Sequence, residues 1–152
     1  MLDWINNKFA TTLSEEALNE IKNFTLLWNI YDNLIFRSHF SIHQLEIEIS
    51  IRNLDYNDFH DIYEFFQNRY IDSGNINERF RNLNFRYNDR EVLVQNALIN
   101  NNSTNNIKLL TIGIIVYRFR NNLFHGVKDF HLLNGQIENF RNANRYLKTF
   151  IN

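Results

Sequence analysis

The segment Val116 to Gly126 reads VYRFRNNLFHG. Within eight residues it carries Arg118, Arg120, Asn121, Asn122 and His125. A guanidinium stays charged at any working pH, so it cannot accept a proton. It can hold a phosphate and stabilise negative charge that develops there. An imidazole can give or take a proton near neutrality. An amide can orient either group. With no carboxylate cluster nearby, this set suits cleavage of a phosphodiester without a metal. In RNA the 2′-hydroxyl is a built-in nucleophile. A base removes its proton, the arginine stabilises the phosphorane-like charge, and an acid protonates the leaving oxygen. The products are a 2′,3′-cyclic phosphate and a 5′-hydroxyl. DNA lacks the hydroxyl and would not be cut this way.

An α-helix must place these groups, and it advances about 100° and 1.5 Å per residue. Asn121 and His125, four apart, share a face. Arg118 and His125, seven apart, fall nearly in line. Arg120 lies roughly 140° and about 7.5 Å from His125, within reach of its long side chain. The spacing therefore predicts a polar stripe of Arg118, Asn121 and His125 with Arg120 at its margin. Phe119 and Leu123 form a separate buried stripe. One histidine cannot be base and acid at once. Two copies of the helix meeting across a two-fold axis would supply both, so a homodimer is the economical way to complete the site. The same residues are also good helix C-terminal groups, because cations there favour the helix dipole.

The chain around this segment is built for helices. It has 152 residues, one domain's worth, with no Pro, no Cys and only 4 Gly. Thr12 with Glu15 predicts a capping box for a helix to about Phe36. Ser41 with Gln44 opens a second helix ending near Asn53, although Ile47, Ile49 and Ile51 alternate as in a strand. Asp55 with Asp58 starts a third helix, ended by Ser73-Gly74-Asn75. An arginine-rich piece follows from Asn77 to Arg90, then a helix capped by Asn88 and Glu91. A polar loop, 100–106, precedes a helix from about Ile107 to Phe124, with Gly126 as its left-handed cap. A last helix spans Gly135 to Phe150. The fold class predicted is all-α, a single domain over residues 1–152 with five or six helices.

With these flanks, Arg120-Asn121-Asn122-Leu123-Phe124-His125 resembles the signature of the HEPN superfamily. That signature is an arginine, often followed by a polar residue, then a histidine four to six positions on. Arg118 meets the longer spacing; Arg120 is favoured because Asn121 follows it. The motif's place, late in the last long helix but one, is similar to that in bacterial HEPN proteins. So is an opening helix carrying Phe24, Trp28, Tyr31 and Asp32. The resemblance implies a dimeric, metal-independent endoribonuclease of toxin–antitoxin or anti-phage defence, with an antitoxin or defence-system partner. Arg120 would stabilise phosphate charge, His125 would move protons, Asn121 would orient them, and Arg118 and Asn122 would line the same cleft. Some superfamily members only bind RNA or protein, so a catalytically silent binding module is the alternative.

Other residues extend or limit this picture. Arg79, Arg81, Arg86 and Arg90 interleave with Phe80, Phe85 and Tyr87, as in an RNA-gripping patch with stacking aromatics. Buried aromatics on a solvated element would look the same. Lys128 is a further candidate phosphate contact. His39, His43, His60 and His131 show no metal-ligand spacing, and His60, Asp61 and Glu64 at most make a surface group. No cofactor is expected. Net charge is −1 and sequence pI about 6.5, which argues against a strongly basic DNA-coating protein. No leader pattern or long apolar run is present, so a cytoplasmic protein without membrane attachment is expected.

Overall fold

The computed structural model describes residues 1–124 and 132–152. The fold is all-α, as predicted. Eight α-helices appear among the described residues, more than the five or six expected. They are α1 (Leu2–Phe9), α2 (Glu15–Phe36), α3 (Ile42–Arg52), α4 (His60–Tyr70), α5 (Glu78–Arg81), α6 (Glu91–Ile99), α7 (Asn105–Phe124) and α8 (Ile137–Ile151).

The surplus comes from short pieces. Helix α1 is pinned from outside: Asn6 Nδ2 donates to Leu13 O and Leu13 N to Asn6 Oδ1, at 3.0 and 2.8 Å. Such a tie across seven residues leaves no periodic trace. Helix α5 is a single turn capped by Asn77, whose side chain accepts from Phe80 N. Between α4 and α5 lies a two-stranded hairpin, β1 (Ile71–Asp72) and β2 (Asn75–Ile76), which was not predicted. Ser73 and Gly74 at its tip have φ of 49° and 80°, the paired left-handed backbone that a tight hairpin requires.

Two cap assignments also shift. Ser14, not Thr12, caps α2, its side chain accepting from Ala17 N. Asn88 does not cap α6. Arg90, at φ 56°, stands before that helix without a side-chain cap bond. Asp89 turns inward instead. The Ser41 cap of α3 is as expected. In α3, Ile49 is buried while Ile47 and Ile51 are exposed, so the alternation belongs to a helix.

Helix α7 is the axle. It is buried on nearly every side, with α3, α4, α6 and α8 packed on it, and α2 lies along α8. A helix apolar all round belongs in a core rather than on a surface. Gly113 makes this packing possible. A Cβ there would stand 2.5 Å from Leu45 Cδ2 and 2.6 Å from Tyr146 Oη. Phe119 carries the α7 core stripe onward, meeting Phe66 of α4 and Phe140 of α8 at ring distances of 5.8 and 6.1 Å. Arg118 to Phe124 thus lie toward the C-terminal end of a helix held on most of its sides.

Candidate functional site

The two arginines of the motif have opposite surroundings. Arg118 is 2% exposed. Its Nε donates to Leu83 O at 3.1 Å and its Nη2 to Asn84 O at 2.6 Å. Its Nη1 meets Asp89 Oδ2 at 2.7 Å, and Nη2 also reaches Asn122 Oδ1 at 3.2 Å. Burial lowers its pKa, and Asp89 opposes that shift. Asn122 closes the network by donating Nδ2 to Leu83 O at 3.0 Å. Asp89 Oδ2 also accepts from Arg86 N at 2.8 Å. Arg118 therefore clamps the 83–89 loop to α7, with its cation neutralised inside the protein. Its expected place on a polar stripe with Asn121 is corrected: Arg118 pairs with Asn122, one helical turn on, and faces the loop.

Arg120 is half-buried. Its Nη1 donates to Asn121 Oδ1 at 3.0 Å, and its guanidinium lies over the Phe124 ring, 5.4 Å from the centroid. Its Nε is buried without a hydrogen-bond partner. Asn121 itself is buried, so the amide holds the guanidinium from within the fold. Among the described residues no carboxylate forms an ion pair with Arg120. That is the state of a group able to take an external anion. His125 follows Phe124 directly; it, Gly126, Lys128 and His131 lie outside the described residues.

No family model matches this chain, and no curated protein or solved structure matches it.

The arginine-rich stretch divides. Arg81 pairs with Glu78 at 3.2 Å and Arg90 with Glu46 at 2.8 Å. Arg86 is exposed, and its backbone serves Asp89. Phe80 is fully buried and stacks on Phe85 at 5.1 Å, which makes both structural; Tyr87 stands fully in solvent. Only Tyr87 of the three aromatics is placed to meet a base. Arg79 is apart from these, at the mouth of a cavity beneath α7.

That cavity was not foreseen from sequence. Arg69 and Tyr70 from α4, Arg79 from α5, Asn122 from α7 and Asn139 from α8 share its wall. Four separate elements contribute, so no local spacing could have revealed it. Asp32 has a local duty: its Oδ1 accepts from Phe40 N at 3.0 Å, fixing the turn after α2. His60, Asp61 and Glu64 do converge, their ligand atoms lying within 4.8 Å of one another, but all three are exposed. Each ring nitrogen of His60 faces one carboxylate at 3.5 Å, so the group is accounted for as a surface ion cluster. No helix among the described residues is long and apolar enough to cross a membrane.

Proposed function

We propose that this chain is a HEPN-type, metal-independent endoribonuclease that works as a homodimer. The observation that carries the reading is Arg120. It sits in α7 just ahead of the last turn, anchored by Asn121, with Nε lacking an acceptor and no carboxylate paired to it among the described residues. In sequence, His125 comes five residues on, the spacing of the HEPN signature that this stretch resembles, and Arg and His suit phosphate holding and proton transfer. In this mechanism Arg120 holds the scissile phosphate and stabilises charge on its non-bridging oxygens. One His125 takes the 2′-hydroxyl proton, and the second copy's His125 protonates the 5′ leaving oxygen. Bond making to phosphorus and bond breaking to the 5′ oxygen balance with one proton accepted and one donated. Defence or toxin–antitoxin use, with its cognate partner, follows from the resemblance and belongs to the same proposal.

The test is cleavage of an end-labelled RNA in EDTA. Wild type yields 2′,3′-cyclic phosphate and 5′-hydroxyl ends. Arg120→Ala and His125→Ala lose about 10²-fold or more in rate, the usual scale for an oxyanion contact or a general acid–base. Both variants should keep the wild-type circular dichroism spectrum and melting temperature. Wild-type cleavage by a folded His125→Ala dimer refutes the mechanism. A cleavage-silent wild type that binds RNA or a protein selects the binding-module alternative.

A further inference from the structure

The cavity beneath α7 has a volume of about 200 Å³. Its wall includes Arg69, Tyr70, Arg79, Asn122, Leu132 and Asn139, and no Asp or Glu among the described residues that line it. Two guanidiniums thus share a small concavity with no carboxylate among the described residues that line it. Their donors are also unmatched. Arg69 Nη2 donates to Gly135 O at 3.2 Å, but its buried Nε has no partner. Tyr70 is 1% exposed, and its hydroxyl lies against the Arg69 guanidinium with Arg79 nearby, so it can accept from Arg69 and still has its own proton to donate. Arg79 is exposed and makes no ion pair or hydrogen bond among the described residues. Buried donors without acceptors are rare in folded proteins, because each gives up its bond to water and gains none in return. An unmatched donor beside two guanidiniums makes this cavity suited to an anion.

One group has the opposite need. Asn139 is 2% exposed and donates Nδ2 to Gln136 Oε1 at 2.8 Å, yet its Oδ1 has no partner. The ligand must therefore offer a donor as well as anionic oxygens. Size narrows it further. Small-molecule sites usually span about 300–1,000 Å³, so this cavity takes a fragment, not a whole cofactor.

We infer that the cavity binds the phosphate and ribose of a ribonucleotide and leaves the base outside. The phosphate oxygens meet Arg69, Arg79 and the Tyr70 hydroxyl. A ribose hydroxyl donates to Asn139 Oδ1. The base lies over the exposed Leu132 at the rim, so recognition is of phosphate and sugar rather than of base identity. The site requires neither His125 nor cleavage, so it stands or falls apart from the nuclease reading.

Calorimetry on the wild-type chain in EDTA tests it with AMP, UMP and adenosine. AMP and UMP should bind within about threefold of each other. Adenosine, lacking the phosphate, should bind at least about tenfold more weakly, since hydrogen bonds to charged groups are worth roughly 1.5–3 kcal/mol. Arg79→Ala touches no partner and should melt like wild type while losing about tenfold or more in AMP affinity. Tyr70→Phe keeps the buried ring and should lose a smaller factor. A trinucleotide with a 5′-phosphate separates the sources. Affinity equal to that of AMP assigns a free nucleotide, and markedly tighter binding assigns an RNA end. The inference is overturned if AMP shows no binding at millimolar concentration. It is also overturned if adenosine matches AMP or if folded Arg79→Ala binds AMP undiminished.

Discussion

Replacing Asp89 with Ala removes the only carboxylate that neutralises Arg118 among the described residues. The ion pair is 2.7 Å long, and the side chains are 2% and 9% exposed. Breaking a buried pair by deleting one partner costs about 3–5 kcal/mol, because the remaining charge stays buried without compensation. In a domain of this size each kcal/mol moves the melting temperature by about 2–4 °C, so a drop of roughly 6–20 °C is expected. Asp89 also accepts from Arg86 N, so its loss frees the loop as well as the charge. Asp89→Asn keeps an acceptor oxygen and should fall less far. The decisive comparison is the double variant Arg118→Met with Asp89→Ala. Removing the stranded cation should restore part of the stability lost in Asp89→Ala, since apolar replacement of buried ion pairs is often tolerated. Thermal melts by circular dichroism and urea titrations read all four proteins. If Asp89→Ala melts within about 2 °C of wild type, or the double variant melts no higher than Asp89→Ala, Arg118 is not the buried clamp described above.

Two further predictions probe the axle and its aromatic surroundings. Gly113→Ala places a methyl 2.5 Å from Leu45 Cδ2 and 2.6 Å from Tyr146 Oη, so these two fully buried side chains must shift within the packed core. Overpacking of this kind costs about 1–3 kcal/mol, and an unchanged urea midpoint would show that the helices are not so closely packed. Alkaline pH should unfold the chain. Burial pushes Tyr63 up to about 12 and raises Tyr31, Tyr70 and Tyr146 further, against about 10 in an unfolded chain. Stability tied to these neutral phenols is complete below about pH 10 and is lost as pH rises through the folded values, at up to about 1.4 kcal/mol per pH unit for each tyrosine. Phenolate absorbance should show these four remaining protonated until the fold collapses. Reversible ionisation of all 7 tyrosines near pH 10, with the helices intact, would refute it.

The parts of the fold visible in sequence were those set by local periodicity and local caps. Helix α7 was expected from Ile107 to Phe124 and runs Asn105–Phe124, because its apolar run and the polar loop before it bound it on one strand of text. Ser41 announced α3 for the same reason. What sequence could not show was contact across distance. Asp89 looked like part of a solvated, arginine-rich surface, yet it is drawn in by an arginine 29 residues away. Three amides of α8, Asn139, Asn142 and Asn144, are buried, although their residue type alone does not mark them as internal. Part of the chain's heavy asparagine content is therefore internal wiring. Asn144 Nδ2, for instance, reaches both Glu20 O and Glu20 Oε2 on α2, at 3.1 and 2.8 Å.

Sequence left Arg118 and Arg120 as rivals for one role: Arg120 was favoured because Asn121 follows it, while Arg118 also meets the looser spacing and aligns better with His125. Environment separates them. A cation that must take up and release a phosphate cannot also be the fixed partner of a buried carboxylate, since exchange would strand that carboxylate at a cost of several kcal/mol. Arg118 has four hydrogen bonds and a neutralising charge, and it fixes the 83–89 loop against α7. Arg120 has one amide contact, an aromatic support and an unmatched Nε. Asn122 and Asn121 follow the same division, the first serving Arg118 and the second Arg120. The loop held by Arg118 begins with Leu83 and Asn84, which also line the cavity carrying Arg69 and Arg79. Arg118 therefore builds part of that cavity's wall, while Arg120 has only the Asn121 amide and the Phe124 ring against it and no paired carboxylate among the described residues.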